Sequence, residues 1–80
     1  MKVLVKILPK PEVLDSAGRA TFNALKSDFS DLKSCHLGKL VMLEFSDDTD
    51  EQKALNEAKK MSDKLLVNPL VETYELEVQK

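Results

Sequence analysis

Three segments of the chain alternate polar and apolar residues with the period of a β-strand, and two repeat apolar residues with the period of a helix. The first strand is predicted over Lys2–Leu8, where Val3, Val5 and Ile7 share one fully apolar face. The prolines at positions 9 and 11 end this strand, because proline lacks the amide N–H that a β-ladder needs.

A first helix is predicted to begin with Asp15 or Ser16 as its N-cap and to end between Lys26 and Asp28. Its apolar stripe consists mostly of small residues at three- and four-residue spacing: Ala17, Ala20, Thr21, Ala24 and Leu25. Because alanine is small, this face can approach a sheet closely, and we expect it to be buried there.

One long second strand is predicted from Cys35 to Phe45, with Val41 and Leu43 on one face and Met42 on the other. The glycine at position 38 interrupts it, which indicates a bulge or a close backbone approach. A strand of this length overhangs the sheet of a small domain. Such an overhang can pair with another copy of the chain.

The second helix is predicted to start at Thr49-Asp50-Glu51-Gln52, which has the form of a capping box. Its apolar stripe contains Ala54, Leu55, Ala58, Met61, Leu65 and Leu66. We expect it to stop at Asn68, because a residue before proline is pushed out of the α region and asparagine tolerates the left-handed conformation.

A third strand follows Pro69, with Leu70, Glu72, Tyr74, Leu76 and Val78 on one face. The order β-α-β-α-β predicts the α+β class, with residues 1–80 forming a single domain. In this architecture, a small open-faced sandwich, three strands carry two helices on one face. The pattern alone leaves parallel and antiparallel neighbours open.

The charge balance limits the partners of this chain. Its 80 residues include 12 Lys and Arg against 14 Asp and Glu, a net charge of −2. A protein that binds nucleic acid or an anionic membrane surface normally carries a basic excess, so both partners are excluded. The apolar run near the amino terminus is too short for a signal or membrane segment, which favours a cytoplasmic protein.

A domain of this size has a thin core. It buries only about 60–65% of the surface that its unfolded chain exposes, and such domains usually need a disulfide, a metal or a partner for stability. Cys35 and His36 are the only cysteine and histidine, so an internal disulfide and a four-ligand zinc site are both excluded. Self-association remains, and we expect a homodimer or a dimer of dimers.

No set of catalytic, cofactor-binding or metal-binding residues emerges from the sequence. Cys35 and His36 are neighbours in a predicted strand, so their side chains should point to opposite faces and cannot form a nucleophile and base pair. The acidic run from Asp47 to Glu51 lacks the central glycine of a calcium loop.

Three motifs carry more information than the composition does. They are Asp15-x-x-Gly18 before an alanine-rich helix, His36-Leu37-Gly38-Lys39, and the stretch from Leu65 to Tyr74, which reads LLVNPLVETY. Together they resemble the PurS family, the small subunit of phosphoribosylformylglycinamidine synthase. The resemblance extends over essentially the whole chain, and it implies a mainly antiparallel sheet.

The resemblance also implies a function: a non-catalytic subunit in purine biosynthesis. In that family the small subunit is a dimer or higher oligomer that bridges a glutaminase subunit and an ATP-dependent synthetase subunit and supports ammonia transfer. ATP, Mg²⁺ and glutamine are then used by the partner subunits, with no cofactor in this chain. Motif membership and expected exposure give the partner-interface candidates Arg19, His36, Lys39, Asn68, Glu72 and Tyr74. Family members commonly carry arginine at the position of His36, whose mostly neutral imidazole does not replace that charge at pH 7.

Two other functions remain alternatives. A stand-alone dimeric ferredoxin-like domain that senses a small molecule would need a glycine-rich turn after the first strand, where Pro9 and Pro11 stand instead. A small enzyme that uses Cys35 or His36 across a dimer interface would need a second titratable group placed to activate the thiol.

Overall fold

The computed structural model describes every residue from Met1 to Lys80. The elements are β1 (Lys2–Pro9), α1 (Ser16–Lys26), β2 (Lys39–Glu44), α2 (Glu51–Met61), a π-helical turn (Ser62–Leu66) and β3 (Glu72–Gln79). This order confirms the predicted β-α-β-α-β arrangement.

The strands form one antiparallel sheet in the order β2-β1-β3. In the central row, Val5 of β1 lies between Val41 of β2 and Leu76 of β3. The antiparallel arrangement implied by the resemblance is confirmed, as is the α+β class. The predicted faces of β3 are also confirmed, although the strand begins at Glu72 and leaves Leu70 exposed outside it.

The core lies between β1 and α2. Val3, Val5 and Ile7 on the inner face of β1 are buried, and Ala54 and Ala58 of α2 are buried above them. The two alanines let the helix lie close to the sheet, so a thin layer of side chains fills the space between them.

Helix α1 does not cover the sheet in a single chain, which corrects the expected burial of its alanine stripe. Ala17, Ala20 and Ala24 are exposed, and the main helix–sheet contacts are those of α2 with β1 and β3. The molecule is 50 Å long, whereas an eight-residue strand spans about 27 Å. Helix α1 therefore extends the molecule beyond the sheet.

The second strand is shorter than predicted, with six residues in place of eleven. The chain before it turns toward α1, because the Leu37 N–H donates to the Asp15 carboxylate instead of to a ladder. At Gly38 the predicted close approach is confirmed, since a Cβ there would collide with the carbonyl of Ile7. The predicted overhang does not form. Val41 and Leu43 share one face as predicted, and that face packs against the core.

The second helix leaves the α conformation earlier than Asn68, the predicted stop. The Val67 N–H donates to the Ser62 carbonyl over 3.0 Å, which closes a π-turn, and Val67 itself is extended. No residue has a positive φ, so Asn68 is not in the left-handed conformation that we expected at the end of the helix. The wider turn rotates the chain, so Val67 is buried while Leu65, predicted as part of the apolar stripe, is 83% exposed.

The cap of α2 also differs from the predicted capping box. Asp50 is the N-cap and accepts a hydrogen bond from the Lys53 N–H at 3.2 Å. Thr49 instead bonds through its hydroxyl to Ser46 at 2.8 Å. No helix of the structure has both the length and the apolar character needed to cross a membrane.

Candidate functional site

The six candidate residues fall into two separate places. Arg19 and His36 line a cavity beside α1. The other four gather where β3 begins, together with one aspartate that the sequence did not single out. We call this second group the Asn-Pro cluster; it consists of Lys39, Asp63, Asn68, Glu72 and Tyr74.

The cavity beside α1 has a volume of about 240 Å³. Its lining combines apolar, polar and charged residues of both signs: Val13, Leu14, Asp15, Arg19, Phe22, Lys33, Ser34, Cys35 and His36. Cys35 and His36 lie in irregular chain rather than in a strand, so the expectation that they point to opposite sheet faces is wrong. Both side chains border the same cavity.

Asp15 holds this end of the molecule together. Its carboxylate accepts hydrogen bonds from the N–H of Gly18 at 2.9 Å and from the N–H of Leu37 at 3.0 Å. These two bonds, with a weaker contribution from His36, lower the pKa of Asp15. A Cβ at Gly18 would collide with that carboxylate and would lie 2.7 Å from the Cys35 carbonyl oxygen. The Asp-x-x-Gly motif is therefore architectural.

Asn68 and Glu72 form the centre of the Asn-Pro cluster. The Asn68 N–H donates to the Glu72 carboxylate at 2.8 Å, and the Asn68 carbonyl accepts from the Glu72 N–H at 2.8 Å. The Asn68 side chain accepts from the Leu70 N–H at 3.1 Å, which makes an Asx-turn around the proline. These bonds set where β3 starts.

Lys39 reaches Glu72 across the inner face of β1. Lys39 and Tyr74 both pair with Ile7, on opposite sides of the central strand. The ammonium of Lys39 lies 3.3 Å from the Glu72 carboxylate, with the two side chains 62% and 18% exposed. The Asn68 N–H and then Lys39 lower the pKa of Glu72, so this carboxylate is ionised at neutral pH. Lys39 thus braces the two edge strands while its charge stays accessible.

Tyr74 completes the cluster from β3. Its hydroxyl donates to the Asp63 carboxylate at 2.9 Å, and partial burial followed by this bond raises the pKa of Tyr74. A cavity of about 350 Å³ opens beside the pair, bordered also by Pro69 and Thr73. Asp63 was missed from the sequence because no motif links it to a tyrosine eleven residues away.

The charged groups of the Asn-Pro cluster are paired within the chain. Its two carboxylates and its lysine are engaged in hydrogen bonds or ion pairs within the chain. The structure contains no group of three or more His, Cys, Asp or Glu side chains arranged to hold a metal ion. The cluster is therefore a polar surface whose groups are held in place by contacts within the chain.

Comparison with known proteins identifies the family. The family model PurS, described as phosphoribosylformylglycinamidine (FGAM) synthase, matches residues 2–80. A search of curated proteins gives no significant match.

Solved structures agree with the family model. The chain is similar to PurS of Methanocaldococcus jannaschii, described as one of the subunits of formylglycinamide ribonucleotide amidotransferase in the purine biosynthetic pathway. The identity is 32%, over 99% of this chain and 95% of that one, with a TM-score of 0.83. For Bacillus subtilis PurS the identity is 33%, over 99% and 98%, with a TM-score of 0.77.

A third similar structure is a complex. In the PurLQS structure from Thermotoga maritima, the matching chain is 31% identical, over 95% of this chain and 93% of that one, with a TM-score of 0.84. The chain therefore belongs to the PurS family of phosphoribosylformylglycinamidine synthase.

Proposed function

We propose that this PurS chain is the non-catalytic subunit that bridges the glutaminase and the ATP-dependent synthetase of FGAM synthase in purine biosynthesis, and that it supports ammonia transfer between them. The observation that carries the proposal is the similarity, at a TM-score of 0.84, to a chain of the PurLQS complex from Thermotoga maritima. The fixed polar surface of the Asn-Pro cluster adds support, because recognition of a partner needs preorganised groups.

In this proposal the chemistry belongs to the partners. ATP, Mg²⁺ and glutamine are used by the larger subunits, and this chain contributes surfaces. We place the complex in the cytoplasm, where the single unpaired cysteine would stay reduced.

Reconstitution tests the bridging role. The purified chain should show neither glutaminase nor synthetase activity, and its addition to the two larger subunits should restore glutamine-dependent FGAM formation. Ammonia-dependent synthesis by the synthetase alone serves as the control for an active partner. Full glutamine-dependent activity and a stable complex without this chain would refute the proposal.

A charge exchange tests whether Lys39 and Glu72 contact a partner. Lys39→Glu alone should weaken complex formation, but it also places two carboxylates together and breaks the ion pair between Lys39 and Glu72 that links the edge strands. The double variant Lys39→Glu/Glu72→Lys restores an ion pair inside the chain while it reverses the charges shown to a partner. We expect the double variant to be less stable than the wild type, because it loses the hydrogen bond from the Asn68 N–H to the Glu72 carboxylate, and to bind its partners more weakly even where circular dichroism shows it folded.

The outcome shows whether Lys39 contacts a partner or only forms the ion pair with Glu72 within the chain. If the double variant regains the partner affinity that Lys39→Glu loses, Lys39 acts only within the chain. Arg19→Glu and His36→Glu test the second place, beside α1, with partner affinity as the readout and circular dichroism as the check on folding. Unchanged affinity in both variants would remove that surface from the proposed interface.

The proposal includes self-association as a homodimer or a dimer of dimers. Only nine of the 80 residues are buried, which is a thin core for an independent domain. Light scattering should show at least a dimer at micromolar concentration. A folded monomer under those conditions would contradict this part of the proposal.

A further inference from the structure

The cavity beside α1 gathers positive charge in a chain that is acidic overall. Its lining contains two permanent cations, Arg19 and Lys33, and one carboxylate, that of Asp15, which makes a net charge of +1 when His36 is neutral. The whole chain carries a net charge of −2. No carboxylate of the chain lies within ion-pair distance of Arg19 or Lys33. These two charges are therefore available to a ligand.

The loop that carries Lys33 is held at both of its ends. Before the cavity, the Lys26 ammonium donates to the Leu32 carbonyl at 3.2 Å, and after it the Leu37 N–H donates to the Asp15 carboxylate at 3.0 Å. These bonds fix the backbone of the lining, so a ligand has less of the chain to order when it binds. The second bond also engages the Asp15 carboxylate, which would otherwise repel an anion.

Another part of the lining is apolar and comes from Val13, Leu14 and Phe22. The Lys26 ammonium lies 5.3 Å from the centroid of the Phe22 ring and adds a positive charge next to the cavity. Ser34 contributes a hydroxyl, which can donate to an anion. The volume of about 240 Å³ is below the range of about 300–1,000 Å³ that is usual for drug-sized ligands. The cavity thus suits a small organic anion better than a nucleotide.

We propose that this cavity binds a small phosphate monoester, with its phosphate group on Arg19 and Lys33 and its organic group against Phe22. A guanidinium group can donate two parallel hydrogen bonds to a phosphate, and an ammonium group adds a point charge. A phosphate monoester carries a charge of about −1.5 to −2 at pH 7, which matches two cations better than the single charge of a carboxylate does. The site does not rest on the bridging role, because one chain supplies all of its residues.

The first test measures binding by NMR on the full-length chain labelled with ¹⁵N, with phenyl phosphate as the probe. The amide signals of Gly18, Ser34 and Cys35 should shift and saturate, with a dissociation constant of about 1 mM or below. Phenol and inorganic phosphate each lack one half of the ligand, so each should bind at least about tenfold more weakly. If either binds as tightly as phenyl phosphate, the assignment of a monoester is overturned.

The second test removes the cations one at a time. Arg19→Gln and Lys33→Gln should each raise the dissociation constant of phenyl phosphate at least about tenfold, because each loses a charged hydrogen bond to the phosphate. Both side chains are exposed, so the variants should fold as the wild type does. The matched control is Lys60→Gln, which removes the same charge from an exposed lysine of α2 and should leave the dissociation constant unchanged.

A third variant fills the cavity and keeps its charges. Ser34→Phe places a ring in the lining at an exposed position and should abolish the saturable shifts, while the dispersion of the other amide signals shows that the chain is folded. If Lys60→Gln weakens binding as much as Arg19→Gln does, the probe is attracted by charge alone and the site is overturned. The absence of saturable shifts in the wild type up to about 10 mM phenyl phosphate overturns it as well.

Discussion

At the scale of single residues, close contacts determine the path of the chain on either side of α1. Gly38 lies against the backbone of Ile7, and Gly18 lies against the Asp15 carboxylate and the Cys35 carbonyl. Neither glycine has a positive φ, so both are required for space rather than for backbone conformation. Asp15 then joins two segments that are 22 residues apart.

The first prediction concerns Gly38. Gly38→Ala would force a methyl group into the carbonyl of Ile7, so either β1 or β2 must shift. We expect a loss of about 1–3 kcal/mol in the free energy of unfolding, measured by urea denaturation. Ser34→Ala, at an exposed position of the same segment, is the control and should cost far less. Equal effects of the two changes would contradict the close approach.

The second prediction concerns acid stability. Backbone N–H groups lower the pKa of Asp15 and Glu72 below their ordinary values of 3.8 and 4.5. Their contribution to stability is therefore complete above those values, and it is lost as the pH falls through the lowered pKa values of the folded state. Between about pH 5 and about pH 3 the melting temperature should fall more in the wild type than in an Asp15→Asn/Glu72→Gln variant.

The control for this pH dependence removes two exposed carboxylates elsewhere. In the variant Glu12→Gln/Asp31→Asn the melting temperature should fall with decreasing pH as steeply as in the wild type. If the melting temperature falls equally in all three proteins, the hydrogen bonds to Asp15 and Glu72 do not stabilise the folded state.

At the scale of elements, α2 carries most of the packing on the sheet. Its alanines lie directly on the inner face of β1, and the π-turn that follows brings Val67 down onto Val5 and Ile7. The buried Ser62 hydroxyl donates to the Ala58 carbonyl at 2.8 Å, which satisfies a polar group inside this contact. The helix and the π-turn therefore cover the core together.

The third prediction tests this close packing. Ala58→Leu would push α2 away from β1, because Ala58 is fully buried and no space is left for a larger side chain. The free energy of unfolding should fall by about 1–3 kcal/mol in urea denaturation. Asn56→Leu adds a similar side chain on the exposed side of the same helix and should be nearly neutral. A stabilising Ala58→Leu would show that the core has unfilled space.

At the scale of the whole molecule, the structure is extended and thin, with principal extents of 50, 26 and 14 Å. Apart from Val67, the buried apolar residues come from β1 and α2 alone. The free energy of folding from such a core is small, so association should supply part of the stability.

The fourth prediction follows from that coupling. If folding and dimerisation are linked, the melting temperature should rise with protein concentration, by mass action, over a range of about 1 to 100 μM. Circular dichroism at several concentrations measures this directly. A melting temperature independent of concentration would mean that the single chain is stable by itself.

The sequence alone determined the element order, the faces of β1 and β3, an N-cap for α1 at Asp15 or Ser16, of which the structure has Asp15, and the resemblance to the PurS family. These features depend on residues close together in the chain, through periodicity, caps and proline stops. The tertiary structure decided the length of β2, the π-turn and the direction of α1. It also decided the pairing of Lys39 with Glu72 and of Tyr74 with Asp63. Each of these depends on groups that meet only when the three strands pair and α2 packs on them, so no local pattern in the sequence predicts them.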